Sequence, residues 1–387
     1  MPIKNRFAEL LPDLTEFRRD LHRHPELMFD TERTAGVVAD RLRAMGCDQV
    51  VTGVARNGVV AVIKGRSDSR GRTVGLRADM DALPIEEATG AAYASTVPGK
   101  MHACGHDGHT TMLLGAAQYL AETRNFDGSV VLLFQPAEEG GGGADVMVKE
   151  GVLDTFGVDE VYGMHNVPGR AVGTFAIRPG PFYAAADQFE IEIIGRAGHA
   201  AQPHQTVDAT VMASHAVIAL QTIVSRETDP VQQIAVSVTS FETSTKAHNV
   251  IAERVKLRGT VRTFDDAVRD QTERRMSEII HGVAGTFGGS AVVNYQRGYP
   301  AVVNHEASTD HAIAAAEKVT GTCAEAPIYL WGEDFSYLLN ERPGAYIHLG
   351  VGETAPLHHP EYDFVDEVIP MGSSWFAEIV EARLPVG

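Results

Sequence analysis

Two short stretches, GVVAVIK at 58–64 and SVVLLF at 129–134, are apolar at nearly every position rather than at every second one. Strands of that kind are buried on both faces. Shorter runs of similar character fall at 72–77 (RTVGLR), 159–164 (DEVYGM) and 345–349 (AYIHL), and helical patterns at 108–124, 141–150 and 308–320. Apolar strands bounded by helices predict an α/β domain, a mixed sheet with helices on both faces. A helix precedes it. Phe7, Leu10, Leu11, Leu14, Phe17 and Leu21 recur at helical spacing until His24-Pro25 ends the run.

The middle of the chain has a different rhythm. It reads strand (188–195), helix (207–226), strand (232–241), strand (253–263), helix (265–286) and strand (291–297). That β-α-β-β-α-β order is the ferredoxin-like pattern of a compact α+β domain. We place it at 184–298, inserted into a larger domain built from 1–183 and 299–387. The glycine run Gly140 to Gly143 opens a helix rather than linking domains.

Composition narrows the partners. A length of 387 residues fits two or three domains, and 22% charged with 44% hydrophobic residues is ordinary globular usage. The net charge of -18 repels a phosphate backbone, so a nucleic-acid partner is not expected. Cys47, Cys104 and Cys323 are too few for a disulfide scaffold, and no 18-residue apolar run occurs. A soluble cytoplasmic protein with no membrane partner is the expectation.

Polar clusters gather where strands end. Ala78-Asp79-Met80-Asp81 follows 72–77, Gln135-Pro136-Ala137-Glu138-Glu139 follows 129–134, His165-Asn166 follows 159–164, and His358-His359 follows 345–349. A fifth cluster, HACGHDGH at 102–109, opens a helix. Ligands of open α/β sheets bind beyond the carboxyl ends of the strands, so these clusters converge on one crevice. Cys, His, Glu and Asp are the side chains that hold zinc or a similar divalent ion. The Cys104-x-His106 pair on a glycine turn aims two ligands at one point, and a helix N-terminus there favours the thiolate. If the backbone is strand-like at Glu138-Glu139, the two carboxylates point to opposite sides, one free to ligate and the other to take a proton.

Each cluster alone has a plainer reading. Glu138-Glu139 is also a solvated helix start, 102–109 a surface loop, Asp79 and Asp81 turn caps, and His165 a satisfied core histidine. Cys47 and Cys323 read as core thiols. Convergence favours the metal reading.

The motifs RADMDALP, MHACGHDGH, QPAEEGGGGA, GMHN, GRAGHAAQPH, HNVIAER, GTVRTF, WGEDFS and PLHHPEYDF resemble the M20 metallopeptidase family. They are most similar to its amidohydrolase branch of hippurate hydrolases, N-acyl-amino-acid deacetylases and auxin-conjugate hydrolases. The resemblance runs from RRDLHRHPEL to about residue 370; one departure is Ala252, where the family has proline. It implies a catalytic domain (1–183 and 299–387) with two divalent metal ions, and a lid and dimerisation domain (184–298). The implied metal ligands are Cys104, His106, Glu139, His165 and His358, with Cys104 in the place of a bridging aspartate. Glu138 is implied as the general base, Asp81 as the residue orienting a ligand, and His199 on the lid as a donor to the oxyanion. Asn249 and Arg262 resemble contacts to a substrate carboxylate, although Arg262 is equally readable as a partner of Asp265 or Asp266.

The function implied is hydrolysis of the amide of an N-acyl amino acid to a carboxylic acid and a free amino acid. Alternatives are an N-acetyl-diaminopimelate-type deacetylase and a dipeptidase or aminoacyl peptidase using the same site. Two other classes differ in kind: a metal-stabilised binding protein, and a thiol enzyme with Cys104 as nucleophile and His106 or His109 as base. The donor set suits zinc but does not separate it from manganese, cobalt or nickel. A homodimer or homotetramer through the lid is implied by the resemblance.

Overall fold

The computed structural model describes residues 3–387, with Ile3 and Lys4 as backbone only. The chain divides into two compact units, one of residues up to Phe182 with Val303–Pro327 and Asp334–Gly387, the other of Tyr183–Val302 with Ile328–Glu333.

The first unit is built on an eight-stranded mixed sheet. Its order is Gln49–Val54, Gly58–Lys64, Ser129–Gln135, Thr73–Asp79, Glu160–Val167, Gly344–Gly350, Phe175–Ile177, Cys323–Glu325. The four strands at its centre, from Ser129–Gln135 to Gly344–Gly350, run parallel and are almost wholly buried. Their carboxyl ends therefore lie along one edge.

Alternation along these strands separates two faces. Val74, Leu76, Val130, Leu132, Phe134, Tyr162, Met164, Ile347 and Leu349 join the apolar core under the mutually packed helices Ile3–Arg23, His106–Thr123 and Ile369–Arg383. The opposite face carries Arg77, Asp79, Gln135, His165 and Tyr346, and helix Phe335–Glu341 packs there, with Phe335 stacked on Tyr346 at 4.9 Å. A buried face this polar has to satisfy itself internally.

Several strands run further than the sequence predicts. Asp79, Gln135, His165 and Asn166, expected at or just past the strand ends, are rungs of ladders, with Asp79 opposite Gln135 and His165 opposite His348. Strands Gln49–Val54, Phe175–Ile177 and Cys323–Glu325, and helices Glu32–Ala44, Phe335–Glu341 and Ile369–Arg383, were not expected. Two of those strands are three residues long and exist only through pairing with distant partners. Among the described residues no helix is long and apolar enough to cross a membrane.

The second unit has a four-stranded antiparallel sheet in the order Ile234–Thr243, Arg254–Thr263, Ala185–Ile194, Ser290–Gln296. Helices Ala209–Thr222 and Asp266–Thr286 close over Phe189, Ile191, Ile193, Val255 and Leu257. Asp208 and Asp265 cap them by accepting backbone N–H bonds. On the other face Arg254, Lys256 and Arg258 pair with Glu192 and Glu190 at 2.9 to 3.2 Å, a solvated lattice of charge. Segment Ile328–Glu333 returns to this unit, with Ala184 N donating to Tyr329 O at 3.0 Å and Tyr329 stacked on Trp331.

Candidate metal centre

In the first unit, side chains from five places in the sequence meet at the carboxyl edge of the sheet. Cys104 and His106 flank Gly105, the cap of helix His106–Thr123, whose φ of 90° is left-handed. Only glycine fits, since a Cβ there would lie 2.2 Å from Asn166 Oδ1 and 2.9 Å from the Tyr362 hydroxyl. The turn thus packs directly against the residue that follows His165.

The strand-like backbone on which the sequence reading made the opposite facing of Glu138 and Glu139 conditional is not formed. Ala137, fully buried, adopts φ 59°, and the chain turns. Asp81 holds the turn: its Oδ1 accepts from Glu138 N at 2.9 Å and its Oδ2 from Glu139 N at 3.1 Å. The same residue's carbonyl accepts from His106 Nδ1 at 2.8 Å. Asp81 thereby orients His106 through its backbone and the carboxylate pair through its side chain.

Among the described residues, sets of donor atoms lying within 4.8 Å of one another include Cys104, His106 and His165; Cys104, Glu139 and His358; and His106, Glu138 and Glu139. The structure thus brings together all five expected ligands, and the first two sets share Cys104. Hydrogen bonds orient the rings. Carbonyl oxygens only accept, so His106 Nδ1 and His165 Nδ1, bonded to Asp81 O and Asn166 O at 2.8 and 2.7 Å, carry the protons. Both Nε2 atoms are left to face the site, His165 with its lone pair free and His106 once its second proton is displaced, the arrangement metal-binding histidines need. His165 Nε2 lies 3.5 Å from Cys104 Sγ, and His358 Nε2 lies 3.2 Å from Glu139 Oε1. His358 is held by its backbone N–H on Ala103 O at 2.8 Å, while its own side chain is exposed.

The residues fit a divalent cation on two further counts. His106 Nε2 is buried and has no hydrogen-bond partner among the described residues, and Glu139 Oε1 is buried with only the exposed His358 ring, 3.2 Å away, beside it. Charge is also unbalanced. Burial, then Glu139, Glu138 and Asp79, push the Cys104 thiol well up, so the helix N-terminus does not by itself produce the thiolate the sequence suggested. Burial opposes a charge on His106, yet Asp79, Asp81 and Glu139 push it up to about 10. Burial keeps His165 well below its ordinary range, hence neutral and available as a ligand. A carboxylate-rich pocket that protonates its own thiol is one that positive charge stabilises.

Residues that sequence reasoning left without a role support this edge. Arg77, buried in a strand, donates to Asp79 Oδ2 at 2.6 Å, Asp334 Oδ1 at 2.8 Å and Gln135 Oε1 at 2.8 Å. On the helix side, Asp107 accepts from His22 at 2.8 Å and from Arg18 at 3.3 Å. An arginine inside an apolar strand and the RRDLH and WGEDFS motifs were the available signals.

The remaining expected residues lie in the second unit. His199 and Asn249 meet on a short ribbon, where Gly198–His199 pairs with Val250–Ile251 and Ala200 N donates to Asn249 O at 3.0 Å. His199 is exposed; its Nδ1 accepts from Ala201 N at 3.1 Å, leaving Nε2 to carry an outward N–H. Arg262 pairs with neither Asp265, which caps a helix, nor Asp266. Its Nε donates to Leu330 O at 3.1 Å and its Nη1 to Val261 O and Thr260 Oγ1, while Nη2 has no partner among the described residues.

Comparison with known proteins identifies the family. The N-acetyl-L-cysteine deacetylase of Bacillus subtilis is 41% identical over 370 residues, covering 95% of this chain and 87% of that one. The hippurate hydrolase of Campylobacter jejuni is 37% identical over 376 residues, covering 96% of each. A crystal structure from Bacillus subtilis described as a dinuclear metal-binding peptidase of family M20 superposes with a TM-score of 0.86 at 33% identity, covering 97% of this chain and 99% of that one. Residues 75–382 match peptidase family M20/M25/M40, and the chain, an enzyme with this donor set at its sheet edge, belongs to that family.

Proposed function

We propose that the protein is a metal-dependent amidohydrolase that splits the amide of an N-acyl amino acid, of hippurate or N-acetyl type, into a carboxylic acid and a free amino acid. The observation that carries the reading is the pair of donor sets sharing Cys104, with the Glu138 carboxylate beside them and within 4.8 Å of His106 and Glu139 donor atoms. On this reading Cys104, His106, Glu139, His165 and His358 hold two divalent cations, of zinc, manganese, cobalt or nickel. Such ions, when bound, polarise an amide carbonyl and lower the pKa of water from about 15.7 toward neutrality. Glu138 takes the proton of the attacking water and delivers it to the leaving amine. Asp81 fixes the turn that presents Glu138 and Glu139 by accepting from both backbone amides.

The second unit supplies recognition. It acts as the lid and as the surface through which the chain forms a homodimer or homotetramer. The outward Nε2–H of His199 is the donor to the developing oxyanion. The half-buried Arg262 guanidinium, without a carboxylate partner, receives the substrate carboxylate, and Asn249, on the ribbon with His199, is the second substrate contact. Burial lowers the Arg262 pKa from its ordinary value, the expected mark of a cation awaiting an anion.

The test is amino-acid release from N-benzoyl, N-acetyl and indoleacetyl amino acids and from simple dipeptides, with chelated protein and after each metal is restored. Metal-restored cleavage of the acylated set is the expected result. Cleavage confined to dipeptides would replace this reading with a peptidase, and full activity in the chelated protein would overturn it.

A further inference from the structure

His109 sits among the candidate ligands without being one of the five. Its ring stacks on His106 with centroids 5.4 Å apart and meets His165 edge-on at 4.7 Å. With Asp79 and His106 it also forms a trio whose donor atoms lie within 4.8 Å, so proximity alone makes it a rival ligand. Its hydrogen bonds decide otherwise. The Asn166 backbone N–H can only donate, and it points at His109 Nε2 from 3.1 Å. That nitrogen therefore presents its lone pair to Asn166, and the ring proton sits on Nδ1, 2.6 Å from Asp79 Oδ1. Neither nitrogen keeps a lone pair for a cation. Asp79 is equally committed, its second oxygen taken by Arg77 at 2.6 Å.

The bonds run on as a chain. Asp334 holds Arg77, Arg77 holds Asp79, Asp79 holds His109, and His109 holds the peptide of Asn166. The carbonyl of that same Asn166 fixes His165 Nδ1 at 2.7 Å. We propose that His109 is a positioning residue that sets the rings of His106 and His165, and not a metal ligand. The inference rests on the reading of Cys104, His106, Glu139, His165 and His358 as ligands.

Two substitutions separate its bonds. His109→Asn keeps a donor near Asp79 and loses the acceptor for Asn166; His109→Gln does the converse. Each is compared with the wild type as the cobalt(II) protein. Both variants should bind the wild-type number of cobalt ions at saturation, with visible bands shifted and the cobalt dissociation constant raised about 10- to 100-fold. Asp79→Asn should weaken cobalt binding similarly, and its combination with His109→Gln should cost less than the product of the two single effects. Loss of one cobalt ion per chain in both variants would make His109 a ligand. An unchanged spectrum and affinity would refute the positioning role. A wild type that binds no cobalt would instead overturn the ligand reading beneath it.

Discussion

Gly105 is where the fold and the metal centre make the same demand on one residue. Alanine there meets two costs. The first is conformational: φ of 90° and ψ of 17° are left-handed, which costs a side chain about 1–2 kcal/mol. The second is steric, because the added Cβ would lie 2.2 Å from Asn166 Oδ1 and 2.8 Å from its Cγ. Asn166 cannot yield freely, since its Nδ2 donates to Tyr362 at 2.6 Å and its N–H to His109. Overpacking of this kind costs about 1–3 kcal/mol, so Gly105→Ala should lower the stability of the chelated protein by about 2–5 kcal/mol. Gly151→Ala is the control. That glycine has φ of 74° with nothing within 4 Å of its Cβ position, so strain acts alone and the loss should stay near 1–2 kcal/mol. Urea unfolding midpoints at constant m report both. If Gly105→Ala proves no worse than Gly151→Ala and binds metal as the wild type does, the packing of the turn against Asn166 does not position Cys104 and His106.

Three further substitutions probe the support and the recognition surface. Arg77→Met strips the shared partner from buried Asp79 and Asp334 and should destabilise the chelated protein by about 3–5 kcal/mol; a loss below about 1 kcal/mol in urea would show that the bridge is dispensable. Burial disfavours a charge on His22, but Asp107 and Glu87 push it up to about 9 from an ordinary 6.5. The folded protein then holds a proton that the unfolded chain releases, so its contribution is full below pH 6.5 and is lost as pH rises through about 9. The loss is of order 3 kcal/mol, and a stability profile equally steep in chelated His22→Gln would disprove it. Arg262→Met should raise KM strongly for N-acyl amino acids and little for their amides, and equal effects on both would remove the carboxylate contact.

How far the sequence could be read follows from where the determining contacts lie. The central strands were legible because continuous apolar runs such as 129–134 report burial on both faces locally. The five candidate ligands were legible because each follows a strand or opens a helix in a recognisable motif. The turn at Glu138-Glu139 was not, because it is set by the left-handed Ala137 and the grip of Asp81, 57 residues away, and not by any local strand or helix signal. Arg77 and Asp334 are 257 residues apart, and nothing local to either signals their bridge. His109 carried a metal-like signature, and only the direction of its two hydrogen bonds separates it from the ligands. At Cys104 the helix N-terminus is one local dipole set against burial and three carboxylates, none of them adjacent in sequence, which push the thiol up in the absence of a cation.

The central claim is that Glu138 moves the proton beside a metal centre it does not build. The direct test is the hydrolysis rate of metal-reconstituted Glu138→Ala on an N-acyl amino acid, with the metal content of the same sample counted. The account predicts wild-type metal content and a rate lower by about 10²–10⁴-fold. A rate within tenfold of the wild type at full metal content would contradict it.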